Sequence, residues 1–139
     1  MAMSLDGAWK AVRNLRGIDQ DSTFMAVSAG AYTYKFGDSI LDEPGEPTIM
    51  RLKKSANFSS SSFSNGDLLE KAFPWVESSK SLTGQDRAYY CGSNLNKSIK
   101  NAYVSVFVGT SLNYCISSGK RSEVIFKNSG QEDVLIIAS

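Results

Sequence analysis

The sequence predicts a mostly β, α+β fold: an antiparallel sheet or barrel of about eight strands, with an N-terminal helix and a second short helix near Asp67. Three observations carry that prediction. Tyr32, Tyr34 and Phe36 alternate with Ala31, Thr33 and Lys35, which is the period of a strand. Residues 102–138 hold further runs of strand type, separated by turn residues. Ser4 to Leu15 instead shows apolar residues at helical spacing.

Leu5, Ala8, Trp9, Val12 and Leu15 fall on one face of a helix. Ser4 or Asp6 suits its start, Arg13 and Arg16 its C-terminal turn, and Gly17 its stop. From Thr23 the pattern is β. Phe24-Met25-Ala26-Val27 is a short apolar run, Ala29-Gly30 permits a bend, and Gly37-Asp38 closes the strand ending at Phe36. Asp42 to Pro47 reads as a loop, with turn chemistry at Pro44-Gly45. Thr48 to Lys53 predicts a strand, with Ile49 and Arg51 on one face and Met50 and Leu52 on the other.

Asn57 to Gly66 is rich in serine, with Phe58 and Phe63 embedded. It reads as a flexible loop closed by an Asn65-Gly66 turn. Asp67 to Phe73 predicts a short helix, capped near Asp67 and stopped by Pro74. Trp75 and Val76 then anchor a loop, Ser78 to Asp86 is loop-like, and Arg87 to Cys91 is a short strand candidate.

The C-terminal stretch has the clearest β pattern. Tyr103, Ser105 and Phe107 alternate with Val104, Val106 and Val108. Gly109-Thr110-Ser111 reads as a hairpin turn into Leu112 to Ser117. Glu123 to Lys127 and Asp133 to Ala138, joined through Asn128-Ser129-Gly130-Gln131, complete a four-strand antiparallel meander. The last strand is apolar on both faces, Val134, Ile136 and Ala138 against Leu135 and Ile137. A half-exposed antiparallel strand carries polar residues on one side. This strand is therefore covered twice, by a helix, a second sheet layer, a filled barrel or a partner subunit.

The 139 residues make one domain, 1–139, with 15 Lys+Arg, 14 Asp+Glu and a net charge of +1. That balance argues against nucleic acid or an acidic membrane as the main partner. Lys53–Lys54 and Lys120–Arg121 read as solvated strand ends. The absence of histidine excludes His-based triads and dyads, His-ligated zinc or haem, and a histidine pH switch. Cys91 and Cys115 are too few for a thiolate zinc site, and the sequence leaves one disulfide or two buried thiols. The longest apolar run, Val134 to Ala138, is too short to span a membrane. No basic start followed by an apolar run marks a signal peptide, so a soluble chain is expected with its compartment open.

No nucleophile elbow or phosphate loop is present, and no cofactor is implied. The acidic residues Asp38, Asp42, Glu43 and Glu46 read as a solvated loop, since their spacing does not match a calcium loop. Without histidine, acid–base chemistry rests on Asp, Glu, Tyr, Lys or Cys, and no pair of these has diagnostic spacing. The aromatics are more informative, and core packing is their commonest role. Tyr32, Tyr34 and Phe36 share one strand face and Tyr103 and Phe107 another. If both faces line one cavity, they form an apolar ligand site with hydroxyls to orient the ligand. If they meet in the core, they are packing, and if they are exposed, they belong to a subunit interface, where Tyr is enriched. The expectation is a non-enzymatic binding protein that holds a small apolar ligand in a sheet-lined pocket. The alternative is a self-assembling structural or interaction subunit, coat-like, lectin-like or inhibitor-like, forming a homo-oligomer or binding a protein partner through its sheet.

The segment Leu5-Asp6-Gly7-Ala8-Trp9-Lys10-Ala11-Val12-Arg13-Asn14 resembles the first strand of fatty-acid-binding proteins. Gly7-x-Trp9 is similar to the Gly-x-Trp signature of the wider calycin group. The resemblance implies an antiparallel barrel around a pocket for an apolar ligand, with residues 4–15 as its first strand. It covers only those positions. The family's helical lid is not visible, and its Arg-x-Tyr pair is missing, because Arg121 is followed by Ser122 and Glu123. No binding residue is carried over.

Overall fold

The structure, a computed structural model, describes residues 7, 10, 12–14, 23–28, 34–37, 39–43, 48–59, 61–117 and 120–139. Its strands are β1 (Thr23–Ser28), β2 (Tyr34–Gly37), β3 (Ser39–Glu43), β4 (Thr48–Leu52), β5 (Val104–Gly109), β6 (Asn113–Ile116), β7 (Ser122–Ser129) and β8 (Glu132–Ala138). Between β4 and β5 lie two helices, α1 (Asn65–Ser78) and α2 (Gly84–Ser98). Gly7, Lys10 and Val12 to Asn14 are also helical. The strands form two antiparallel sheets, ordered β3-β4-β1-β6 and β2-β5-β8-β7.

The two-faced pattern of β8 explains the layering. Val134, Ile136 and Ala138 join Val104, Val106 and Val108 on one face of their sheet. That face packs against Leu68, Ala72 and Val76 of α1 and Ala88, Cys91 and Leu95 of α2. Leu135 and Ile137, with Phe107, point the other way and meet Met25, Val27, Met50 and Leu52 of the second sheet. The outer face of that second sheet carries Phe24, Ala26 and Ile49, which pack with Val12 of the N-terminal helical segment. The layers are thus helices, sheet, sheet, helical segment. The expected split of Ile49 from Met50 and Leu52 is observed.

Several expectations are corrected. No closed barrel is formed by the described strands, which make two separate sheets. The described positions of residues 4–15 are helical rather than a first barrel strand. The C-terminal strands are not a four-strand meander, because β6 pairs with β1 while β5 pairs with β2 and β8. The cause lies at the predicted hairpin. Ser111 takes a φ of 52°, and Leu112 turns into the space between the sheets, where it is fully buried. Asp42 and Glu43 belong to edge strand β3, with a register shift between Leu41 and Glu43, and not to the predicted loop. Asp38 and residues 44–47 lie outside the described residues.

The predicted Arg87–Cys91 strand is the middle of α2. Its inward residues Arg87, Ala88, Cys91, Gly92 and Leu95 recur at helical spacing, which five residues are too few to display. Asn65-Gly66 is not a turn but the first turn of α1. Ser64 is the N-cap, and Asp67 sits three residues inside, reaching back to the Ser64 N–H. Pro74 does not stop this helix. It removes only the hydrogen bond to the Glu70 carbonyl, and the residue lies on the solvent side.

Two glycines fit the sheet to the helices. A side chain on Gly92 of α2 would overlap the Phe36 ring of β2, so the ring lies directly on helix backbone. Gly37, at a φ of +115°, ends β2 against the Val104 carbonyl, where no Cβ fits. Because β8 is buried on both faces, Leu135→Ala and Ile136→Ala should each cost about 2–5 kcal/mol although they point in opposite directions. Urea unfolding of the two variants checks this. A cost below about 1 kcal/mol for either would mean that face is not enclosed.

Candidate functional site

Of the aromatic residues singled out in the sequence, the three with described side chains, Phe36, Tyr103 and Phe107, do not converge. Phe36 pairs with Val106 and faces the helices, where its ring meets Tyr89 edge-on with centroids 5.9 Å apart. Phe107 points the opposite way and is fully buried between the sheets. Tyr103 lies just before β5, half-buried, with the Lys53 ammonium 4.6 Å above its ring. Tyr34 contributes backbone pairing with Val108 in β2. Tyr32 lies outside the described residues. Phe36, Tyr103 and Phe107 thus occupy three different environments rather than one pocket wall.

The cysteines are unpaired and lie in different layers. Cys91 is buried under the helices, and Cys115 packs beside Phe24 and Ala26 on the far face of the second sheet. Both sheets stand between them, so no bond can join them within one folded chain. Burial pushes both thiols up, away from the reactive thiolate. Among the described residues no three His, Cys, Asp or Glu side chains come together in a metal-binding group. None of the described helices is long and apolar enough to cross a membrane.

Three charged clusters are built into the fold. Arg87 of α2 is fully buried. Its Nε donates to the Ser79 hydroxyl at 3.1 Å, and its other nitrogens donate to the Val76 carbonyl, the Ser129 carbonyl and the Ser129 hydroxyl. These acceptors are neutral. The guanidinium instead sits at the C-terminal end of α1, where the helix carbonyls present partial negative charge. At the N-terminus of α2, where Thr83 supplies no side-chain cap, the Glu132 carboxylate accepts from the Gly84 N–H at 3.0 and 3.2 Å. Ser129 and Glu132 belong to the same β7–β8 hairpin, so both helices are fastened to one turn.

Asp133 holds the second cluster. Its carboxylate accepts from the N–H groups of Leu112 and Asn128, both at 2.8 Å, and from the Lys127 ammonium at 3.2 Å. Asn128 has positive φ, as does Ser111 just before Leu112, so one buried carboxylate fixes two left-handed turns. The third cluster lies at the rim between the sheets. Burial first, then the Glu123 carboxylate, pushes Tyr114 up to about 12, and Arg121 bonds Glu123 at 2.8 Å and acts the other way.

The exposed surface of the helical layer is the remaining candidate. Leu68, Ala72 and Val76 form the buried stripe of α1. One position on, Leu69 and Phe73 are 44% and 52% exposed. They are four residues apart and therefore stack on one flank. Exposed Glu70 and Glu77 rim that flank, and Lys80 pairs with Glu77 at 3.2 Å. Beside it, Ser62, Phe63, Asp67, Glu70 and Lys71 line an open depression of about 400 Å³. A second hollow of about 180 Å³ separates Phe58 and Phe63 from residues 99–102, and is small for a drug-sized ligand. Sequence reasoning placed Leu69 and Phe73 inside the predicted Asp67–Phe73 helix but did not single out their flank, because stopping that helix at Pro74 cut off Val76, which completes the buried stripe with Leu68 and Ala72. The Leu68-Leu69 doublet was the available signal, since one helix stripe cannot bury both against the same layer.

Arg87→Met should cost roughly 3 kcal/mol or more, because it leaves several buried acceptors unpaired, and Arg87→Lys should restore only part of that. Thermal and urea unfolding measure it, and an unchanged midpoint would deny the clamp. Burial opposes the charge on Asp133, but its two N–H donors and Lys127 outweigh burial and hold its pKa below the usual carboxylate value. A lowered folded pKa stabilises at pH above the unfolded pKa and is lost as pH falls through the folded value. Wild type should therefore exceed Asp133→Asn in stability at neutral pH, with the gap narrowing below about pH 4. A gap constant with pH would contradict this.

The chain matches no family model, no curated protein and no solved structure.

Proposed function

We propose that this chain is a non-enzymatic interaction module that engages a protein partner through the outer flank of α1. The observation that carries the reading is the Leu69–Phe73 pair, large apolar side chains left in water beside a fully used buried stripe. Single exposed apolar residues are ordinary, but a stacked aliphatic–aromatic pair is the kind of anchor found at the centres of protein interfaces. The flank lies on a helix capped at its start by Ser64 and Asp67 and clamped at its end by Arg87. A partner therefore meets a preorganised surface, which lowers the entropic cost of binding. The division of Phe36, Tyr103 and Phe107 among separate environments gives a small apolar ligand less support.

A photo-reactive phenylalanine analogue at position 73, with a control at exposed Lys97 of α2, tests the reading in an extract of the source cells. Adducts with one defined protein should form from position 73 and not from 97. They should vanish with excess unlabelled wild type. Absence of adducts at 73, or the same set from both positions, would contradict it. Native mass spectrometry showing a stoichiometric small molecule retained by the purified chain would favour the ligand reading instead.

A further inference from the structure

We propose that the partner presents a basic, amphipathic helix, whose apolar side chains cover Leu69 and Phe73 and one of whose Lys or Arg residues enters the depression beside them. This rests on reading α1 as the interaction surface. Charge is the first reason. α1 carries Asp67, Glu70 and Glu77 against Lys71, within a chain of net charge +1, and Lys80 just past the helix pairs with Glu77. With both lysines counted the acidic groups still outnumber the basic ones, opposite to the sign of the molecule as a whole. The depression is the second reason. Asp67 and Glu70 stand on its wall with Phe63 and the single cation Lys71, so carboxylates outnumber ammonium there, which suits a further ammonium or guanidinium that pairs with carboxylate beside an aromatic side chain. The Ser64 backbone N–H and hydroxyl, with a smaller contribution from Lys71, lower the Asp67 pKa from its usual value and so favour its charged form. The third reason is spacing. Glu70 and Glu77 are seven residues apart and bracket Phe73, which matches two turns of a facing helix.

Other occupants fit less well. A second copy packed antiparallel across a two-fold axis near Phe73 would bring Glu70 of each chain towards Glu77 of the other, and like charges there oppose association. An anionic lipid surface meets the same repulsion.

The test uses the full chain and two labelled probe peptides of about five helical turns, one built from Leu and Lys and one from Leu and Glu. Fluorescence anisotropy should show the Leu/Lys probe binding roughly ten-fold or more tightly than the Leu/Glu probe, and weakening as salt rises. Glu70→Lys and Phe73→Ser should each weaken the Leu/Lys probe roughly ten-fold or more, with circular dichroism unchanged. Asp86→Lys makes the same charge change at an exposed position of α2 and should alter binding by less than about two-fold. Equal binding of both probes, or an equal loss in Asp86→Lys, would overturn the proposal. So would a homodimer, seen by light scattering, that Phe73→Ser dissociates. If neither probe binds while position 73 still cross-links its protein, the basic helix is rejected and the interaction reading stands. If the cross-link fails too, both are rejected.

Discussion

Everything in this fold follows from a strand that tolerates water on neither side. β8 presents Val134, Ile136 and Ala138 to one face and Leu135 and Ile137 to the other. Each fully buried aliphatic side chain is worth roughly 1.5–3 kcal/mol, so leaving either face open would forfeit several such contributions. The chain covers one face with two helices and the other with a second sheet. The second sheet in turn has an outer face, and Val12 from the N-terminal segment packs on it. Layering on this scale within 139 residues requires close contacts, and the Phe36 ring lying on the bare backbone of Gly92 is one of them.

Apolar cover fixes which elements touch but not their orientation, and the polar clusters supply that. The β7–β8 hairpin gives Ser129 to Arg87 at the end of α1 and Glu132 to the start of α2. A cation at a helix C-terminus and an anion at a helix N-terminus both oppose the local helix dipole favourably. Asp133 in the same hairpin secures the turn before β6, the strand that crosses to the other sheet. One hairpin therefore sets the pose of both helices and the point where the chain changes layer. The outer flank of α1, with Leu69 and Phe73, is held by this frame without being needed for it.

What the sequence made legible was local. The alternation in residues 104–108 and 134–138 and the split of Ile49 from Met50 and Leu52 appear in the structure as read. The need for cover on both faces of β8 was also legible, since it follows from residue order alone. What was hidden depends on distant partners. The hairpin signal at Gly109-Thr110-Ser111 failed because Asp133, more than twenty residues away, accepts the Leu112 N–H and turns β6 out of the sheet. The α2 helix was obscured because its inward face includes Arg87 and Gly92, which carry no apolar signal. Arg87 is inside because neutral acceptors and a helix end surround it, and Gly92 because a ring lies against it. The candidate surface was hidden for the same kind of reason. Only knowing that Leu68, Ala72 and Val76 already fill the interface shows that Leu69 and Phe73 are left over.

The central claim is that one chain covers both faces of its own central sheet, so that its exposed apolar flank is available to a different protein. The dependence of unfolding on protein concentration tests this most directly, because a core completed by a second copy makes stability rise with concentration. Urea unfolding of the wild type over a hundred-fold or so range of concentration should give one midpoint throughout. A midpoint that climbs steadily with concentration would show that another copy completes the core, and would contradict the account.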